Sequence, residues 1–433
     1  MDRMNRYYLL ALVLAPLFLA PLAVHAQTED EDADSLIEHS PWLLDDSLLT
    51  RPFPQATIDE SRRLRTLRPG DWAPEFPMPF RRTSLLGLED TPPRFLSYDR
   101  ADGLYLGLGA NTPARLMFER RTQGFFGFGY ALGSHYWQVM GGMARDFGER
   151  DAPFRIGAEG HIITDTRDAW KMESEENTAF ALIAGKDNRD YFQRSGFSVY
   201  AEKFLSPRFG FTVEYRLDNY HNSKREIGWS LFGPRQPFFE VPPIREGSMS
   251  SVIVELTLDQ MSLRSWDQPQ YGLEAQAEFG SIVNSFQSYV VDARLKTTVI
   301  GQRLWLAVHA RAGSVTGDAP PQRIFTTGGL GTLPGFPQNI YAGNRLMLLQ
   351  TDLLFAPFPK LGLRVIVSND FAGVSMVPND AGPLAGFPSS ISDVKYSPGI
   401  YLGSATGAFR IGYAFRTDVF EDPRLVIRVS RPF

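Results

Sequence analysis

The sequence predicts an all-β protein, a roughly sixteen-stranded antiparallel transmembrane β-barrel behind a short Pro-rich periplasmic segment. Three observations predict it. From about Gly103 to the end, apolar and polar residues alternate with a period of two. The polar face of that alternation carries full charges of both signs, as a wet or charge-networked lumen requires. Aromatic residues recur at strand ends (Tyr105, Phe125, Tyr136, Trp137, Tyr200, Tyr401, Tyr413), where interfacial girdles sit. A soluble sandwich alternates in the same way, but its charged face would point to water and its apolar face to a protein core.

Composition narrows the field of functions. The chain has 433 residues, no cysteine and a formal net charge of −5. Without cysteine there is no disulfide scaffold, thiolate metal site or cysteine nucleophile. The slight acidic excess excludes a general nucleic-acid binder, whose affinity rests on Lys and Arg. The mean hydropathy of −0.20 excludes a helical membrane protein but not a barrel, where only alternate strand residues meet lipid.

Taken in order, residues 1–26 read as a secretory signal peptide. Arg3 and Arg6 precede an apolar stretch from Tyr7 to Ala20, and Val24-His25-Ala26 supplies small residues for cleavage. Residues 27–100 read as an acidic and Pro-rich leader or periplasmic strap. Glu29 to Asp32 form an acidic tail, and nine prolines leave room for one helix, near Thr57 to Leu67.

Residues 101–433 form the barrel. Strands are expected at 103–109, 122–131, 135–146, 153–164, 176–185, 195–204, 209–219 and 251–261. The second half continues with 271–280, 285–297, 303–313, 344–355, 361–371, 397–405, 407–415 and 424–433. The even number places both termini on one side. The three longest gaps, 220–250, 314–343 and 372–396, all follow odd-numbered strands and so lie together on the opposite side.

Within the last third, Thr327-Gly328-Gly329-Leu330-Gly331-Thr332-Leu333-Pro334-Gly335-Phe336 is followed by Gly343-Asn344-Arg345, a strand, and Asp370-Phe371-Ala372-Gly373. With the terminal Phe433, these residues resemble the BamA/TamA-type outer-membrane barrel, or bacterial surface antigen domain, in a short subgroup lacking periplasmic POTRA modules. In that family a long loop before the twelfth strand folds back into the lumen. Its tip carries a hydrophobic-Arg-Gly-aromatic motif anchored by an Asp two strands on. Leu333, Gly335 and Phe336 match the tip, but Pro334 stands in place of the arginine, and Asp370 sits one residue from the family spacing. The resemblance implies a lumenal loop motif of Gly328, Gly329, Leu333, Gly335 and Phe336, with Asp370 as candidate anchor and Phe433 as the assembly signal. It also implies a bacterial outer-membrane location, with outer-membrane lipid and the barrel assembly machinery as partners.

Catalytic chemistry finds no support. Gly133-Ser134-His135 reads as a turn, and His309 beside Arg311 reads as part of a lumenal polar network. The carboxylates Asp165, Asp168, Asp187 and Asp190 are interleaved with arginines and read as ion pairs; no metal and no cofactor is expected. Three functions follow: assistance to insertion or translocation of protein or lipid, passive diffusion through a pore, and surface lipid modification.

Overall fold

A computed structural model of the chain describes residues 82–83, 89–90 and 96–429, apart from 112–120, 150–152, 207–208, 224–227, 233–241, 260–269, 302, 358–361, 388–392, 405–408 and 420–422. The signal peptide, the acidic tail, the helix expected near Thr57 and the terminal Phe433 lie outside the described residues.

Two short strands, β1 (Arg82–Thr83) and β2 (Glu89–Asp90), pair with each other. The sheet proper runs in chain order through β3 (Leu96–Asp99), β4 (Gly103–Asn111), β5 (Thr122–Ala131), β6 (Tyr136–Phe147) and β7 (Phe154–Thr166). Helix α1 (Ser174–Ala184) follows, then β8 (Tyr191–Ser206), β9 (Phe209–Asn222), β10 (Gly247–Asp259), β11 (Gln270–Ser281), β12 (Ser285–Ile300) and β13 (Leu304–Gly317). A separate small hairpin, β14 (Phe325–Thr327) with β15 (Tyr341–Gly343), precedes β16 (Arg345–Phe355), β17 (Leu363–Ser375), β18 (Lys395–Ser404), β19 (Arg410–Ala414) and β20 (Arg424–Arg428). Sixteen strands pair antiparallel with their chain neighbours, from β3 at one end to β20 at the other, and only the β14–β15 hairpin is bypassed.

The count of sixteen agrees with the expectation through two compensating differences. The strand expected at 176–185 is helix α1. Ser174-Glu175-Glu176 places acidic side chains in its first turn, Ala179, Ala181 and Ala184 favour helix, and Gly185 closes it at φ +63°. The short apolar run Ala179–Ile183 carries no period that separates helix from strand. In exchange, Leu96–Asp99, inside the segment read as leader, pairs with β4 as the first strand.

Register converts the alternation into two faces. One row runs Leu273, Ala293, Ala310, Leu349, Phe371, Tyr396 across β11 to β18, and its members point outward. The neighbouring row, Arg294, His309, Gln350, Asp370, Ser397, points inward. The result inverts a water-soluble protein: Arg194 and Glu278 are fully buried, whereas Val291 and Leu402 are 45% and 59% exposed. Buried charges of the inward face form ion pairs with one another. Arg194 bridges Asp165 and Asp218 at 2.5 and 3.0 Å, and Asp292 accepts from His309 and Arg311 at 2.9 Å each. The network expected around His309 is therefore present, with Gln350 as a further neighbour.

Candidate functional site

Two connections fold into the interior and meet there. The first joins β7 to β8 (167–190) and carries α1; the second joins β13 to β16 (318–344) and carries the glycine-rich motif.

The second connection is fastened at its root by Arg323. Its guanidinium donates twice to Glu278 of β11, at 2.8 and 3.0 Å, and once to the Tyr220 hydroxyl of β9 at 3.2 Å. The chain then turns back on itself: the Gly329 amide donates to the Leu333 carbonyl at 3.0 Å and the Gly328 amide to Thr332 Oγ1 at 2.8 Å. Gly331 has φ +89°, and a Cβ there would stand 2.2 Å from the Lys171 carbonyl oxygen, so only glycine fits. Leu333 and Phe336 are fully buried against Leu348 of β16 and Ala372 of β17. The Gly335 amide donates to Ser397 Oγ of β18 at 2.9 Å.

The inward register explains this seat. Leu348 and Ala372 are adjacent small or apolar members of a row that reads Asp292, Arg311, Leu348, Ala372, Lys395. That apolar gap in a charged wall receives Leu333 and Phe336. The next row supplies Gln350 and Ser397 for the backbone.

Asp370 does not touch the motif directly. Its carboxylate accepts from Gln350 Nε2 and Ser368 Oγ, each at 2.9 Å, and Gln350 Nε2 also lies 3.3 Å from the Thr332 carbonyl. Asp370 thus orients the residue that holds the loop. Two cations from later in the chain reach the tip. Arg416 lays its guanidinium over the Phe336 ring at 5.1 Å, and Arg424 Nη1 donates to the Phe336 carbonyl at 3.2 Å. Asp418 accepts from Arg416 and from the Tyr341 hydroxyl and completes the clamp. Ser397, Arg416 and Arg424 were not singled out from sequence, because only the strand register brings them to the tip.

The first connection supplies the floor for the second. Lys171 pairs with Asp168 at 2.6 Å and donates to Thr326 Oγ1 and Asn339 Oδ1 at 2.7 and 2.8 Å. Burial raises the Asp168 carboxyl, but the charges of Lys171 and Arg167 outweigh it and hold the group below its ordinary range. Asp190 accepts from Arg100, Arg167 and Asn339, which ties the β3–β4 turn, the first connection and the second together. Asp187 accepts the Arg100 amide and the Asn177 side chain, and its burial pushes the carboxyl up. Of the carboxylates read as ion-pair partners, Asp165, Asp168 and Asp190 are so placed, whereas Asp187 accepts from neutral groups, the Arg100 and Arg189 amides, Asn177 and the Tyr191 hydroxyl. Ser134 and His135 lie in a turn, where the Ser134 hydroxyl donates to Asp102.

Helix α1 occupies the gap between the ends of the sheet. On one side Thr178 Oγ1 accepts the backbone amide of Tyr98 in β3 at 3.2 Å. On the other, Glu176 accepts Arg428 Nε and Nη2 of β20 at 2.9 and 3.1 Å, and the Val429 amide at 2.9 Å. Among the described residues β3 and β20 do not pair with each other.

Along most of the described sheet apolar side chains face outward and charges face inward, and the chain's own loops fold into the space between. This chain is a transmembrane β-barrel protein. Its fold is similar to that of BamA from Haemophilus ducreyi lacking POTRA domains 1-3, with 11% identity, 76% of this chain and 67% of that chain covered, and a TM-score of 0.47. It is also similar to CdiB from Acinetobacter baumannii (11% identity, 77% and 55% covered, TM-score 0.39) and to CdiB from Escherichia coli (12%, 77% and 60%, 0.38). The barrel thus spans little more than half the length of either CdiB chain. No protein-family model matches the sequence, and no curated protein matches it.

Proposed function

We propose that this protein resides in the bacterial outer membrane and assists insertion or translocation of protein or lipid there, without an enzymatic step. The observation that carries this reading is the seam. Among the described residues the two end strands, β3 and β20, do not pair with each other, and side chains of α1 stand against both. Two strand edges held apart offer backbone donors and acceptors to an incoming strand. In this reading Gly328, Gly329, Leu333, Gly335 and Phe336 form a lumenal plug, and Phe433 is the signal read by the barrel assembly machinery.

The test uses the purified protein in lipid vesicles, to which an unfolded outer-membrane barrel is added. Folding of that client several-fold faster than in empty vesicles is expected. A parallel conductance trace is expected to stay near zero until residues 325–340 are deleted. Steady current through the intact protein, with no acceleration of folding, would replace this reading with that of a passive diffusion channel.

A further inference from the structure

Both end strands of the sheet are held by side chains of one helix, and among the described residues neither pairs with the other. This arrangement is costly to leave open: an unpaired strand amide facing hydrocarbon has no water to turn to. Thr178 takes up the Tyr98 amide and Glu176 takes up the Val429 amide, so α1 satisfies donors that a neighbouring strand would otherwise meet.

The helix is built for this place. Its buried face is Ser174, Glu176, Asn177 and Ala181. Ala181 packs against Tyr98, where a larger side chain would push helix and strand apart. Ile183 points outward with Trp229, Leu231 and Phe232, all exposed and apolar. Those last residues belong to the β9–β10 connection, which closes the helix end. The Leu231 and Phe232 amides donate to the carbonyls of Leu182 and Ile183 at 2.8 and 3.0 Å, and the Tyr98 hydroxyl donates to the Trp229 carbonyl. At its start the helix is joined to the plug, since Arg428 Nη2 also lies 3.4 Å from the Lys171 carbonyl, on which Gly331 rests.

We infer that α1 is a latch that closes the seam by occupying the site an incoming strand would take, and that its release exposes the edges of β3 and β20. The inference rests on the insertion reading above and gives it a means of control. The β19–β20 ladder sets five residues in register, whereas among the described residues α1 takes up one backbone amide of each end strand and adds the Glu176–Arg428 pair. The latch is therefore the weakest closure in the ring, and the buried pair is what must break.

Hydrogen exchange of the full chain in nanodiscs tests this. Glu176→Ala is expected to speed exchange in peptides covering 96–99 and 424–429 by about tenfold or more. Glu176→Gln, which keeps an acceptor oxygen, should fall between it and the wild type. Peptides from β11 and β12 should not change. Edge strands that exchange no faster in Glu176→Ala than in the wild type overturn the latch. Should Glu176→Ala loosen β11 and β12 as well, a second variant decides. Because the chain has no cysteine, Ser97→Cys with Thr178→Cys introduces a single pair that ties β3 to α1. Oxidation is expected to abolish accelerated client folding, and reductant to restore it. Client folding that is equally fast in both redox forms overturns the latch and leaves the insertion reading standing. No acceleration in any form removes the insertion reading, and the exchange rates still judge the latch.

Discussion

Gly335 lies so close to Phe415 that a Cβ built on it would stand 2.2 Å from the Phe415 carbonyl oxygen. The loop tip and the segment after β19 are in backbone contact there, and both are tied to β18, the tip by the Gly335 amide to Ser397 Oγ and the segment by the Phe415 amide to the Pro398 carbonyl.

Gly335→Ala is therefore expected to lift the tip from its seat and cost about 1–3 kcal/mol, as other overpacked positions do. Gly382 is the control: a Cβ there meets nothing within 4 Å, and its replacement by Ala should stay within about 0.5 kcal/mol. Unfolding of the detergent-solubilised protein, followed by the gel shift between unheated and boiled samples, measures both. Equal stability of the two variants would show that the tip is not seated as described.

Val291 sits midway along β12 on the outward face. In water, arginine at such an exposed site is nearly neutral. In the middle of a bilayer it costs about 2–4 kcal/mol. Reversible folding of Val291→Arg into lipid vesicles in denaturant should give the larger figure, and Val291→Leu should be close to wild type. A neutral Val291→Arg would mean that the outward face does not meet hydrocarbon.

The clamp on Phe336 carries a pH dependence through Asp418. Burial raises this carboxyl, but hydrogen bonds from Arg416 and Tyr341 outweigh it and hold the group below its ordinary range. A carboxyl depressed in the folded state contributes stability above its unfolded value, near about pH 4, and loses it as pH falls through the folded one. Asp418→Asn should thus expose the 318–344 connection to protease at neutral pH more than in the wild type. That difference should close as both are taken from about pH 4 down through the lower folded value. A difference that persists well below that range would remove Asp418 from the clamp.

How far the sequence reached depends on the range of the interaction. The strands around Val252, Leu273 and Phe409 were legible because alternation is a local property, visible within seven or eight residues. Asp370 and the glycine-rich motif were legible as a loop and its neighbour, yet their connection through Gln350 was not, because it depends on the register of β16 against β17. Residues 174–184 misled because their apolar run is too short to show a period, and the true cues were the acidic first turn and the closing Gly185.

By itself the sequence determined that this chain folds into alternating strands, which face carries charge, and on which side the long connections lie. Those properties follow from the pleat, which sends successive side chains to opposite faces whatever the strand's partner. Only the tertiary structure decided that a helix stands between the first and last strands and that Glu176 meets Arg428 across 252 positions. Such a pairing has no local signal. A charge can enter the interior beside any opposite charge, and which one it meets is settled when the sheet curls and its ends are brought to the same helix.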